Sequence, residues 1–178
     1  MMRWTSLVFK IIAALLLLAI ILYPAFLGDS KIIKDFRATI ENNKLVLKWE
    51  LLKVTPVKLY FFDELIYSGE NNKVEFSKNV YGRLKFTLRA NNETRTIVVW
   101  TGKIIWDPPP LWDKFFLYIQ QNGKIKEFVT TKTSVHLKDL YEAGLLTAGQ
   151  ATVWARTGYK DLKSEKSNII NFEVRISE

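Results

Sequence analysis

The sequence predicts an all-β protein: two small tandem β-sandwiches that follow one N-terminal transmembrane α-helix. Three observations support this prediction. Residues 11–27 form an uncharged apolar run, the chain beyond it contains short segments with a two-residue hydrophobic period, and turn-forming residues separate those segments. We expect the anchor in residues 1–30, the first sandwich in residues 31–101 and the second in residues 102–178.

The anchor prediction depends on the run Ile11–Leu27 and on the residues that flank it. As a helix the run is about 25 Å long, and the apolar residues upstream extend it to the roughly 30 Å of a bilayer core. Lys10 is the only charge in the extended helix, where its long side chain can reach the headgroups, and Trp4 and Tyr23 lie near the two ends as interfacial aromatics do. A cleaved signal peptide and a buried core helix share parts of this pattern. The length of the run and the absence of an A-x-A-like cleavage site favour an uncleaved signal-anchor.

The charges around the run indicate its orientation. Arg3 and Lys10 precede most of it, which favours a single-pass protein in the cell membrane with the N-terminus inside and the C-terminal domains outside. Lys31, Lys34 and Arg37 follow closely, so the contrast in positive charge between the two sides is weak.

Composition excludes several kinds of chemistry. The 178 residues contain no cysteine and a single histidine, His136, so neither disulfides nor the usual His/Cys zinc site can form within one chain. No phosphate-binding glycine loop and no G-x-S-x-G motif is present. The net charge of +8 is interspersed along the chain without a basic block or a nucleic-acid module. We therefore expect no enzymatic activity, no cofactor, no metal and no nucleic-acid partner.

The clearest strand is Arg83–Arg89, in which Leu84, Phe86 and Leu88 share one face and the residues between them point outward. The pair Asn91-Asn92 predicts a hairpin to Thr94–Trp100, and Asn122-Gly123 predicts another hairpin further on. Other strands are expected over Lys44–Glu50, Val57–Phe62, Lys73–Phe76, Lys103–Asp107, Lys114–Gln120, Ile125–Thr130, Ser134–Leu137, Ala151–Arg156 and Asn168–Ile176, with one helical turn over Lys138–Ala143.

Two pairs of aromatic residues recur at a similar offset. Trp49 and Trp106 are 57 positions apart and each ends a short apolar strand, while Tyr60 and Tyr118 are 58 apart in the next strand. A constant offset of this size predicts two copies of one small unit.

The second half resembles a fibronectin type III domain. The segment Ile104–Pro109 is similar to the second strand of that family with its core tryptophan, Phe116–Ile119 to its third strand, and Ala151–Ala155 with Lys163–Asn168 to its sixth strand and the loop after it. The first half matches more loosely, and a related immunoglobulin-like sandwich is the alternative. The usual tyrosine before Ala155 is absent. Little sequence remains for a first strand of the second half, which is either truncated or supplied by Thr96–Trp100.

The resemblance implies binding, spacing or scaffolding. We expect a non-enzymatic, membrane-anchored interaction or scaffold protein, an accessory subunit of an envelope or surface assembly, whose partner is a protein in the membrane or envelope. The alternative is a carbohydrate-binding module tethered at the cell surface. Trp100 and Trp112 lie near the triple proline and are the candidate contacts for a protein partner or a surface polysaccharide. Core and interdomain packing is the more common role of such residues. Asn92-Glu93-Thr94 fits the N-glycosylation pattern, which makes Asn92 the candidate acceptor.

Overall fold

The computed structural model of the chain describes residues 31–42, 44–109 and 111–178. Strand makes up 64% and helix 4% of these residues, which confirms the all-β prediction and is consistent with a β-sandwich. The predicted transmembrane segment lies outside the described residues. Within them, no helix combines the length and apolar character needed to cross a membrane.

The described residues form fourteen strands and one short helix. Their bounds are β1 (Ile33–Glu41), β2 (Lys44–Leu51), β3 (Val57–Phe61), β4 (Glu64–Gly69), β5 (Lys73–Phe76), β6 (Val80–Ala90), β7 (Glu93–Thr101), β8 (Lys103–Ile105), β9 (Lys114–Gln121), β10 (Lys124–Thr130), β11 (Ser134–His136), α1 (Leu137–Glu142), β12 (Gly149–Tyr159), β13 (Leu162–Lys163) and β14 (Ile170–Ile176). The residues Ile33–Glu178 pack as one unit. The division into two sandwich domains between residues 101 and 102 stays a prediction about that unit.

The first half contains a three-stranded sheet and four strands of a larger one. The small sheet has the order β1-β2-β5, and β4, β3, β6 and β7 lie side by side in the large sheet. The predicted hairpin between β6 and β7 is confirmed, with Ala90 opposite Glu93. Asn91 turns the chain with a φ of 50°, a conformation that asparagine tolerates better than most residues.

The second half has the same strand order, but its small sheet has one strand fewer among the described residues. β8 pairs with β11 in a small sheet, and β10, β9, β12 and β14 lie side by side in the large sheet. The predicted hairpin at Asn122-Gly123 is confirmed, since both residues have positive φ and Gln121 lies opposite Lys124. The predicted helical turn is α1, and Gly144 follows it with a φ of 69°. Thr96–Trp100, one possible source of the missing strand, belongs to β7 and pairs with β6.

One continuous sheet joins the two halves because β6 carries strands of both along one edge. β7 occupies one edge of β6, so the other edge holds β3 beside Phe86–Ala90 and β14, in parallel, beside Val80–Arg83. The result is a nine-stranded sheet. At this junction a Cβ on Gly82 would overlap the carbonyl oxygen of Arg175, so only glycine allows β14 to come this close.

Strand β6 follows the predicted alternation with one exception. Leu84, Phe86 and Leu88 are fully buried, as predicted. Thr87 was predicted to point into solvent but is 8% exposed, because β6 is an interior strand of the sheet and β7 lies beside it. Its hydroxyl is 3.1 Å from that of Thr96, the residue opposite it on β7.

Candidate functional site

The structure separates the two tryptophans predicted to contact a partner or a sugar. Trp100 lies on β7, half-buried, with its ring centroid 5.3 Å from that of Tyr141. Trp112 lies just before β9, also half-buried, with its ring 4.5 Å from Phe115. Each indole therefore packs against another aromatic ring. Asn92 is exposed in the β6–β7 turn, and its glycosylation stays a prediction.

The predicted core tryptophan, Trp106, packs against the core of the second half as a half-buried residue. Its ring is 5.3 Å from Phe115. Its indole nitrogen is buried without a hydrogen-bond partner, as is that of Trp49 in the first half. The two tryptophans of the repeat thus occupy similar places, but Trp49 is the more deeply buried, at 4% exposure.

Sequence reasoning missed a row of aromatic side chains on the outward side of the second half. We name Phe116, Tyr118 and Trp154 the aromatic face. Tyr118 and Trp154 lie opposite each other on β9 and β12, and their rings stack with centroids 5.5 Å apart and an interplanar angle of 11°. Alternation along β9 could have revealed the face, because its neighbours Phe115, Leu117 and Ile119 fill the core.

The segment that connects β13 to β14 covers part of this face. Its serines form hydrogen bonds with the edge of β12, as a neighbouring strand would. The amides of Ser164 and Ser167 donate to the carbonyls of Thr157 and Ala155, and the two serine hydroxyls accept hydrogen bonds from the amides of those same residues at 2.9 and 2.8 Å. These hydrogen bonds hold Lys163 and Lys166 against the sheet.

Two ammonium groups lie over the aromatic face. Lys163 Nζ is 3.8 Å from the centroid of the Phe116 ring and 3.1 Å from the Tyr118 hydroxyl, and Lys166 Nζ is 4.2 Å from the Trp154 ring. These are cation–π distances. Phe116 and Trp154 are only 8% and 9% exposed, so the lysines over them form much of the outer surface here.

One carboxylate completes this cluster. Glu127 lies opposite Tyr118 on β10, with its Oε2 3.4 Å from Lys163 Nζ. The Tyr118 hydroxyl beside the carboxylate and the ammonium of Lys163 lower the pKa of Glu127. The same hydroxyl and the Glu127 carboxylate raise the pKa of Lys163, so both groups are charged at neutral pH.

The aromatic face continues to a free edge of the nine-stranded sheet. β10 is the last strand on that side, and its only strand neighbour among the described residues is β9. Ile125 and Val129 flank Glu127 on the outward side and are 57% and 49% exposed. An exposed strand edge with apolar side chains beside it is a site where another chain can pair.

The described residues contain no group of three or more histidine, aspartate or glutamate side chains that could hold a metal ion. No protein-family model matches the sequence, and no curated protein is significantly similar to it. The class of protein is therefore defined by its fold alone: an all-β chain, consistent with a β-sandwich, with an aromatic and cationic outward face.

Proposed function

We propose that this chain is a non-enzymatic interaction or scaffold protein that binds a protein partner through the edge of β10, beside the aromatic face. The observation that carries the proposal is the exposure of Ile125 and Val129 beside stacked aromatic rings at the end of a sheet. Exposed apolar side chains on an unpaired strand edge are typical of sites where another chain binds.

The proposal includes the location and the finer fold. The N-terminal apolar run supports a single-pass anchor with the N-terminus inside, so the sheets would lie outside the cell membrane as part of an envelope or surface assembly. The strand orders β4-β3-β6-β7 and β10-β9-β12-β14, each accompanied by a small separate sheet, support tandem fibronectin type III-like sandwiches.

Carbohydrate binding is the alternative, and it depends on Trp100 and Trp112. Sugar-binding platforms need an aromatic ring face open to solvent. Both indoles are half-buried against another ring, so this alternative has the weaker support.

The test is to solubilise the full chain from native membranes in mild detergent, purify it, and weigh every component that copurifies. We expect a stoichiometric protein companion that the double variant Ile125→Lys/Val129→Lys fails to retain. A matched control is Leu52→Lys/Val54→Lys, which changes two apolar residues of similar exposure, 66% and 79%, in the first half. Purification of the chain without a companion, or equal retention by both double variants, would overturn the proposal.

A further inference from the structure

The small sheet of the second half lacks a strand that the first half has. In the first half, β2 lies between β1 and β5, whereas β8 pairs with β11 alone among the described residues. The offset of 57 places Trp106 at the position of Trp49. The backbone agrees, because the Trp49 amide donates to Asn72 at 3.0 Å and the Trp106 amide donates to Thr133 at 3.1 Å.

The backbone of β8 has hydrogen-bonding groups that face away from β11. In an antiparallel pair, alternate residues direct their N–H and C=O groups to opposite sides. The Trp106 amide donates to the carbonyl of Thr133, just before β11, and the Gly102 carbonyl accepts from the amide of Leu137, just after β11. Lys103 and Ile105 must therefore direct their backbone groups to the other side, where the described residues offer them no partner.

The equivalent groups of the first half are paired. By the same offset, Lys103 and Ile105 correspond to Val46 and Lys48 of β2. Those two residues lie opposite Thr39 and Arg37 of β1. The position that β1 fills beside β2 is thus without a strand beside β8 in the described part of the chain.

A groove lies beside the edge of β8 that is unpaired among the described residues. It has a volume of about 380 Å³ and runs between β8 and the first residues of β14. Those residues, Ile170–Phe172, precede the pairing of β14 with β6, which begins at Glu173. Tyr81, Ile104 and Phe172 are among the residues that line the groove.

The two tryptophans show the effect of the missing strand. Phe36 of β1 packs edge-on against Trp49 at 6.5 Å and leaves it 4% exposed. No counterpart of Phe36 lies on Trp106 among the described residues, and Trp106 is only half-buried.

We propose that this groove binds an extended strand of a partner protein, which adds to the open edge of β8. Alternate side chains of that strand would be apolar and would pack toward Ile104 and Tyr81, while the backbone groups of Lys103 and Ile105 would pair with its backbone. The side chain of Lys103 has no acidic partner in the described structure, so the strand would carry an acidic residue opposite it. This site is distinct from the aromatic face and the edge of β10, so it goes beyond the proposed function.

The first experiment measures hydrogen exchange at single amides in the full chain in detergent. We expect the Lys103 and Ile105 amides to exchange quickly while the Ile104 amide is slow. Slow exchange at Lys103 and Ile105 in the free chain would mean that the edge is already paired and would overturn the proposal.

The second experiment selects binders from a displayed library of short peptides with valine or isoleucine at every second position and random residues between. We expect enrichment of aspartate or glutamate at one of the random positions, and slowed exchange at Lys103 and Ile105 when a selected peptide is added. Lys103→Glu should change the preference to basic peptides. A library without enriched binders would contradict the proposal.

The matched variants are Ile105→Pro and Val129→Pro. Proline at an outward-facing amide of an edge strand leaves the existing pairing intact, so both variants should fold, as judged by circular dichroism. Ile105→Pro should weaken peptide binding about tenfold or more, through lost backbone pairing, and Val129→Pro should leave it unchanged. Equal binding by Ile105→Pro and the natural chain would overturn the site.

The remaining outcomes separate the two proposals. A native companion that Ile105→Pro retains and Ile125→Lys/Val129→Lys loses would support the proposed function alone. A homodimer that Ile105→Pro dissociates would make a second copy of the chain the occupant and would overturn the assignment to a different protein.

Discussion

The two halves of this chain use the same strand order, yet they complete their small sheets differently. In the first half β1 covers β2 along its whole length and contributes Ile33 and Phe36 to the core. In the second half β8 is three residues long and has β11 as its only strand neighbour in the described structure. The residues before β8 form β7, which pairs with β6 in the large sheet. They are therefore not available to form a counterpart of β1 beside β8. The comparison shows how a repeat can keep its topology although, among the described residues, its second small sheet lacks one strand.

The largest effect should come from truncating Trp49, which lies in the half whose small sheet has three strands. Trp49→Ala should cost about 3–5 kcal/mol of unfolding free energy, as other core aromatic truncations do. Trp106→Ala should cost less, because no strand of the described residues covers Trp106 as β1 covers Trp49, and part of its surface is already in water. Urea unfolding measures both. Equal costs would mean that Trp106 is as well packed as Trp49 and would contradict the difference between the two small sheets.

A second change tests how the halves are joined. Gly82 has a φ of 115°, and a side chain there would overlap Arg175 of β14. Gly82→Ala should cost about 2–4 kcal/mol through backbone strain and overpacking. Thermal unfolding should then separate into two transitions if β6–β14 pairing couples the halves.

The control is Gly123→Ala in the β9–β10 turn. Its φ of 72° is also positive, but an added Cβ would meet nothing within 4 Å. This variant should lose only about 1–2 kcal/mol, the conformational cost of an L-residue there. If both variants lose the same amount, steric contact with β14 is not what demands glycine at position 82.

A smaller effect is expected from the polar contact at the same junction. Arg83 Nη1 donates to the Ser177 carbonyl at 2.7 Å, and the Ser177 amide donates back to the Arg83 carbonyl. Arg83→Ala should cost about 1.5 kcal/mol, the lower end for a hydrogen bond from a charged group. Arg95→Ala removes an exposed ion pair to Glu93 and should cost under about 1 kcal/mol in the same urea titration. A larger loss for Arg95→Ala would contradict this ranking.

The smallest effect concerns pH and should be similar in the two halves. A hydrogen bond from Lys48 lowers the pKa of Glu41, and the Tyr118 hydroxyl with Lys163 lowers that of Glu127, in each case below the ordinary 4.5. Because the unfolded chain binds these protons more readily, the stabilisation is present above that value and is lost as the pH falls through the folded pKa.

Glu41→Gln and Glu127→Gln should each make stability depend less on pH below about 5, since glutamine does not titrate in that range. Thermal unfolding between about pH 3 and pH 7 measures this. Glu165→Gln, in the exposed β13–β14 connection, is the control. An unchanged acid response in both test variants would show that these carboxylates contribute no linked stability.

Much of the fold could be predicted because apolar and polar residues alternate clearly in strands that have one buried and one exposed face. Leu84, Phe86 and Leu88 and the turns at Asn91 and Asn122 were predicted correctly for this reason. β4 was missed, because its apolar residues do not alternate with burial; Leu65 is 50% exposed. Thr87 was misassigned because its burial depends on which strands lie beside β6.

Less of the candidate site could be predicted. Trp100 and Trp112 are prominent in the sequence, yet tertiary packing covers each with another ring. The aromatic face forms only when β9 and β12 pair in one register, which brings Tyr118 to Trp154 across 36 positions of sequence. Local periodicity contains no information about that register.

By itself, the sequence determined the all-β class and the main hairpins, because each follows from the stereochemistry of neighbouring residues. The repeat of tryptophans follows directly from their spacing. Only the tertiary structure decided that β14 continues the first half's sheet beside β6 and that β8 has β11 as its one strand neighbour among the described residues. Both depend on which distant strands compete for one set of backbone hydrogen bonds. That competition is resolved only when the chain is packed, and it leaves Lys103 and Ile105 facing the groove.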